Sequence, residues 1–94
     1  MKKDLQILIV EDRVEFRHLI RRMLEELEPD LKIEEAEDGL TAVDMIKVKK
    51  FDCVLLDYIL GDSTGTGILK EIREIQPEIP IIMVTAYDNP ALTK

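Results

Sequence analysis

The chain is predicted to fold as an α/β protein, a parallel sheet with helices on both faces in three layers. Three observations predict it. Short, nearly continuous apolar runs recur at 5–10 ("LQILIV"), 52–57 ("DCVLLD") and 79–85 ("IPIIMVT"), as in strands buried on both faces. Between them lie stretches whose apolar residues return at helical spacing. Strands that alternate with helices call for parallel pairing through right-handed crossovers.

The first strand spans Leu5 to Val10. Asp12 and Glu15 then form an acidic helix start with the spacing of a capping box. Phe16, Leu19, Ile20, Met23, Leu24 and Leu27 make one apolar stripe, with Arg17, His18, Arg21, Arg22 and Glu25 off it. Pro29 and Asp30 end that helix. Leu31 to Glu37, "LKIEEAE", is a weaker strand whose polar content suits a sheet edge. Asp38 and Gly39 make a turn, and Leu40 to Val48 is the second helix, with Val43 and Ile46 inward. Residues 52–57 are the most apolar strand and belong at the centre. Gly65 to Ile75 is the third helix, with Ile68, Leu69, Ile72 and Ile75 as its stripe, and Pro77 stops it. In the fourth strand, 79–85, Pro80 is tolerated because it falls at the beginning. Asn89 as a cap and Pro90 at a first helical position start a fourth helix, in which the sequence ends at Lys94.

A length of 94 residues is read as one domain, 1–94, with a modest core. Thirteen basic and 20 acidic side chains leave a net charge of −7. Such a chain repels nucleic acid and anionic lipid, so neither is expected as a direct partner. Cys53, the single cysteine, forms no internal disulfide and sits in an apolar run. It is expected to be a small core residue in a reducing compartment. No apolar stretch approaches the roughly 20 residues of a membrane helix. The opening "MKKDLQILIVED" breaks its apolar run with acid too early for a signal peptide. The cytoplasm is the expected location.

In such a sheet, ligands bind beyond the carboxyl ends of the strands. The first strand ends in Glu11 and Asp12, the third in Asp57 and the fourth in Thr85. If strands one and three are neighbours, three carboxylates meet. Clustered carboxylates raise one another's pKa, and a bound divalent cation removes that conflict. Carboxylates, a main-chain carbonyl and waters suit Mg²⁺. Thr85 adds a hydroxyl donor on the same rim. The predicted site takes a metal and an anionic oxygen, most simply a phosphoryl group.

Those stretches resemble the receiver domain of two-component response regulators. "ILIVEDR" is similar to the family's first strand with its acidic pair, and "VLLDYILGDSTGTGILKEIR" to its phosphoacceptor strand, loop and following helix. "IPIIMVTAYD" resembles its fourth strand, and "AEDGLTAV" the start of its second helix. The resemblance covers the whole chain. It implies a flavodoxin-like, receiver-like sheet in the order 2-1-3-4, without the family's fifth strand and fifth helix. It implies that Asp57 is the phosphoacceptor. Asp12, Asp57 and the main-chain oxygen of Ile59 would hold Mg²⁺, and Glu11 would hold it through water. Thr85 and the Ala86 N–H would contact the phosphoryl oxygens. Phosphoryl transfer asks mainly for in-line positioning and charge neutralisation, which such a set supplies. The donor would be a histidine kinase or a phosphotransfer protein, and the domain would signal rather than turn over as an enzyme.

Three departures from the family pattern stand out. Gly61 occupies a place where many members have proline. Ile59 and Tyr87 are bulky where amide or acid influences loss of the phosphoryl group, which implies slow self-dephosphorylation. The family's strand-five lysine is missing, because the sequence ends before that strand and Lys94 belongs to helix four. Strand four would then have an exposed apolar edge that invites self-association. A second function class is a degenerate receiver that binds partners or itself without phosphorylation. An aspartate-nucleophile phosphohydrolase of the haloacid-dehalogenase type wants a second aspartate where Ile59 stands. A flavin carrier wants an anion-binding loop where "EDRVEF" is acidic. No GxxxxGK[ST] is present for a nucleotide.

Overall fold

The computed structural model describes residues 4–57, 59–60 and 63–84, with 59, 60, 63 and 64 as backbone only. The elements run β1 (Gln6–Val10), α1 (Val14–Leu27), β2 (Lys32–Ala36), α2 (Gly39–Val48) and β3 (Cys53–Asp57). They continue with β4 (Ile59–Leu60), β5 (Ser63–Thr64), α3 (Gly65–Ile75) and β6 (Ile81–Val84). The main sheet has the order β2-β1-β3-β6, parallel throughout. This is the predicted flavodoxin-like order. Two of the three apolar runs take the inner places, the third lies outside β3, and "KIEEA" takes the other edge. Among the described residues, no helix is long and apolar enough to cross a membrane.

Side chains of a strand alternate between the faces of the sheet. Leu8, Val10, Val54 and Leu56 pack with Ala42, Val43 and Ile46 of α2 and with Ile68 and Ile72 of α3 in one buried cluster. Ile7 and Ile9 take the opposite face. The chain reverses its direction across the sheet after β2, so right-handed crossovers put α1 on that face and α2 and α3 on the other. Helix α2 is closed at both ends. Asp38 caps its start by accepting from the Thr41 N–H at 2.7 Å. Gln76 Nε2 donates to the Ile46 and Lys49 carbonyls at 3.0 and 3.2 Å.

Helix α1 departs from expectation in three ways. Its stripe is not buried: no residue of α1 is fully covered, and Leu19, Met23 and Leu27 are exposed, Leu27 at 78%. Phe16, Ile20 and Leu24 alone are half-buried from that stripe, because α1 has no second helix beside it among the described residues. The capping box is absent too. The helix begins at Val14 with Arg13 at the N-cap and no side-chain cap, which leaves Asp12 on the rim of the sheet.

The third departure concerns Arg17 and Arg21, which the sequence places on a solvent face. They turn instead to β2. Arg17 Nε donates to Glu35 Oε1 at 2.6 Å, Arg21 Nε donates to Oε2, and Arg21 Nη2 donates to the Ile33 carbonyl at 2.9 Å. Arg22 and His18 stay exposed. Burial alone would push the Glu35 carboxyl up, yet the hydrogen bonds from Arg21 and Arg17 outweigh it and hold its pKa below the usual 4.5. A depressed carboxylate pKa gives stability that is complete above the ordinary value and is lost as pH falls through the folded value. Urea unfolding of wild type and Glu35→Gln is therefore expected to differ most near neutrality, the gap closing below pH 4.5. A gap that ignores pH would refute the ion-pair account.

The loop after β3 carries an element the sequence reading missed. Strands β4 and β5 pair antiparallel, Ile59 with Thr64 and Leu60 with Ser63. Two-residue strands have too little length for a periodicity signal. The signal available was Gly61-Asp62 between them, a two-residue dipeptide of the hairpin kind.

Candidate functional site

The register of the sheet builds the site. Ile9 pairs with Leu55 and Val10 with Leu56 across β1 and β3. One step further, Glu11 comes beside Asp57. The Glu11 N–H still donates to the Ala36 carbonyl at 3.0 Å, so the ladder extends one residue past β1. Asp12 follows in the turn. Ligand oxygens of Glu11, Asp12 and Asp57 lie within 4.8 Å of one another. The three predicted carboxylates are thus brought together as the neighbouring of strands one and three requires. Glu11 and Asp57 are 1% and 3% exposed, and Asp12 is open to solvent.

Glu11 is satisfied on one oxygen only. Its Oε2 accepts from the Arg13 backbone N–H at 2.9 Å and from Arg13 Nε at 3.2 Å. Arg13 in turn lies over the Phe16 ring, 5.2 Å from its centroid. Glu11 Oε1 is buried and has no hydrogen-bond partner among the described residues. Burial drives the Glu11 pKa up, the two Arg13 bonds oppose this, and the Asp57 charge raises it further. A buried carboxylate oxygen without a donor costs about 1–3 kcal/mol or more. A hard divalent cation with oxygen ligands answers both the orphaned oxygen and the like-charge crowding. The donor set of Glu11, Asp12 and Asp57 therefore fits a hard divalent cation such as Mg²⁺.

Asp57 also pairs in register with Val84, the residue before Thr85. Thr85, Ala86, Tyr87, Gly61 and the start of the fourth helix lie outside the described residues, as does the side chain of Ile59. Arg13 and Arg17 are the residues at this rim that the sequence reading left out. Arg13 had only its position two after Glu11 as a signal. For Arg17 there was none, since its carboxylate partner is 18 residues away.

Comparison with known proteins gives the family and the same fold. Residues 7–94 match the family described as "Response regulator receiver domain". The chain is 36% identical over 88 residues to the chemotaxis protein CheY-3 of Vibrio cholerae, covering 92% of this chain and 67% of that protein. Its fold superposes on a CheY-like receiver domain protein from Methanospirillum hungatei with a TM-score of 0.82 at 26% identity, covering 97% of this chain and 71% of that one. It also superposes on a Burkholderia pseudomallei response regulator with a TM-score of 0.79 at 24% identity, covering 94% and 51%. That protein was crystallised with a phosphorylated aspartic acid, a calcium ion and citrate.

Proposed function

The chain belongs to the response regulator receiver domain family, and from that premise we propose that it is the phosphoacceptor module of a two-component phosphorelay, with Asp57 as the acceptor and Mg²⁺ as the cofactor. One observation carries the reading: Glu11, Asp12 and Asp57 share a cluster within 4.8 Å at the carboxyl ends of β1 and β3. The phosphorylated aspartic acid in the Burkholderia protein supports it.

In this reading, an Asp57 carboxylate oxygen bonds to phosphorus in line as the phosphorus–nitrogen bond of a phosphohistidine breaks. The buried sheet end holds that carboxylate in place and limits its freedom before reaction. When bound, Mg²⁺ supplies the positive charge that offsets the phosphoryl oxygens. Asp12, Asp57 and the Ile59 main-chain oxygen would hold it, with Glu11 acting through water. Thr85 and the Ala86 N–H would contact the phosphoryl oxygens, and Ile59 and Tyr87 would modulate its loss. The donor is a sensor histidine kinase or a phosphotransfer protein, and we place the exchange in the cytoplasm, where ATP-dependent kinases work. The domain changes state rather than turning over substrate. Intact mass after incubation with Mg²⁺ and acetyl phosphate tests the reading. One added phosphoryl group is expected, and it disappears when the metal is chelated. No gain under conditions where Mg²⁺ binds would sink it.

A second copy of the chain is a further partner in this proposal. Strand β6 is the outer strand of the described sheet, and Ile82 and Met83 are 51% and 38% exposed. An apolar strand edge is a template for pairing with another chain. Light scattering is expected to show concentration-dependent association that Ile82→Lys removes. A wild-type chain that stays monomeric at high concentration would overturn it.

A further inference from the structure

Glu11 is held at each of its polar atoms except Oε1. Its N–H donates to the Ala36 carbonyl. Its Oε2 takes the two bonds from Arg13. Its carbonyl accepts from Arg17 Nη1 at 2.7 Å. Of these anchors, the Arg17 bond alone comes from the body of α1. The same guanidinium donates through Nε to Glu35 on β2, and the Arg17 side chain is 12% exposed. One planar group thus spans the main chain of Glu11 and a carboxylate on the neighbouring strand. A fork of fixed geometry fits such a bridge better than a single ammonium does. The turn gains from an outside anchor, because the N-cap residue Arg13 caps no N–H of α1 with its side chain.

We propose that Arg17, steadied by Glu35, is a positioning residue for the cation site: it clamps the Glu11 carbonyl and so fixes the β1–α1 turn that presents Glu11 and Asp12. The proposal rests on the cation reading above. Arg17 acts through the main chain of Glu11 and is no ligand itself. Loss of a group that orients ligands in this way commonly costs about 10–100-fold in metal affinity.

Arg21 supplies the internal control. It lies one turn further along α1 and bonds the same Glu35, together with the Ile33 carbonyl and Glu25. It makes no hydrogen bond to Glu11. Loss of either arginine weakens the α1–β2 seam, but loss of Arg17 alone frees the turn.

The test uses the full chain and the variants Arg17→Met, Arg17→Lys and Arg21→Met. Two quantities are read: the Mg²⁺ dissociation constant by calorimetry, and exchange of the Arg13 amide by NMR without metal. Arg17→Met is expected to weaken Mg²⁺ binding about tenfold, and Arg21→Met to change it by less than about twofold. Exchange at the Arg13 amide, whose N–H is bonded to Glu11 Oε2, should rise in Arg17→Met and not in Arg21→Met. Arg17→Lys keeps one donor and should recover part of both. Equal effects from the two methionine variants, or no effect from Arg17→Met, would overturn the proposal. If the wild type binds no Mg²⁺, the cation reading fails by itself. The clamp is then decided by Arg13 exchange: a rise confined to Arg17→Met upholds it, and its absence ends it.

Discussion

Asp57→Asn is expected to abolish phosphorylation completely and to weaken Mg²⁺ binding by at least about tenfold. Asparagine keeps the size and one carbonyl oxygen of the side chain, so the sheet is retained and far-UV dichroism should not change. What disappears is the proposed nucleophile. An amide oxygen does not form a lasting phosphoryl ester, and the site loses one of its three negative charges. The thermal signature follows from linkage. With Mg²⁺ at a hundredfold over its dissociation constant, the wild type should gain about 2.7 kcal/mol of stability. The variant, binding more weakly, should gain much less from the same Mg²⁺. A phosphoryl gain that persists in Asp57→Asn would move the acceptor elsewhere and sink the assignment. A full Mg²⁺ response in the variant would separate the metal from Asp57.

Ile72→Ala and Leu27→Ala are expected to differ sharply although both remove aliphatic bulk from a helix. Ile72 is fully buried where α3 meets the sheet. Its loss should cost about 2–5 kcal/mol, from lost transfer energy and the cavity left behind. Against a total of about 5–15 kcal/mol, that is a large share. Leu27 is 78% exposed, and its loss should fall within about 0.5 kcal/mol. Equilibrium denaturation decides the matter. Equal losses would mean that the outer side of α1 is covered in solution, and that the exposure of its stripe does not describe the free chain.

The sheet was legible because its strands are marked by apolar runs and its helices by stripes. The order of the strands was legible only through the resemblance, and the meeting of Glu11 with Asp57 depended on that order. Helix α1 was misread for an instructive reason. Asp12 and Glu15 have capping-box spacing, but Asp12 is drawn to the rim, where it joins two other carboxylates. Glu11, the residue before it, accepts from the Arg13 N–H instead. Spacing alone does not distinguish these two uses. The stripe of α1 was right as a pattern and wrong as burial, since burial depends on what lies across from a helix. The arginines were misplaced because Glu35, their partner, lies on strand β2, 14 to 18 residues away.

The parallel sheet also sets the order of events by which the chain acquires its site. Gln6 and Asp52 hold the lower end of the β1–β3 seam, with the Gln6 N–H on the Asp52 carboxylate at 2.7 Å, across 46 residues of chain. Closing so long a loop takes entropy before any contact repays it. The seam is therefore expected to be the slow step, with α1 adding little to it. Stopped-flow kinetics should show Ile9→Val slowing refolding while Leu27→Ala, at most, speeds unfolding. An Ile9→Val variant that alters only the unfolding limb would contradict this order. On this account Asp57, distant in the unfolded chain from the neighbouring Glu11 and Asp12, is forced against them by the same event that closes the sheet. Their repulsion is then part of the folding barrier, and a cation that relieves it should hasten folding as well as stabilise the product.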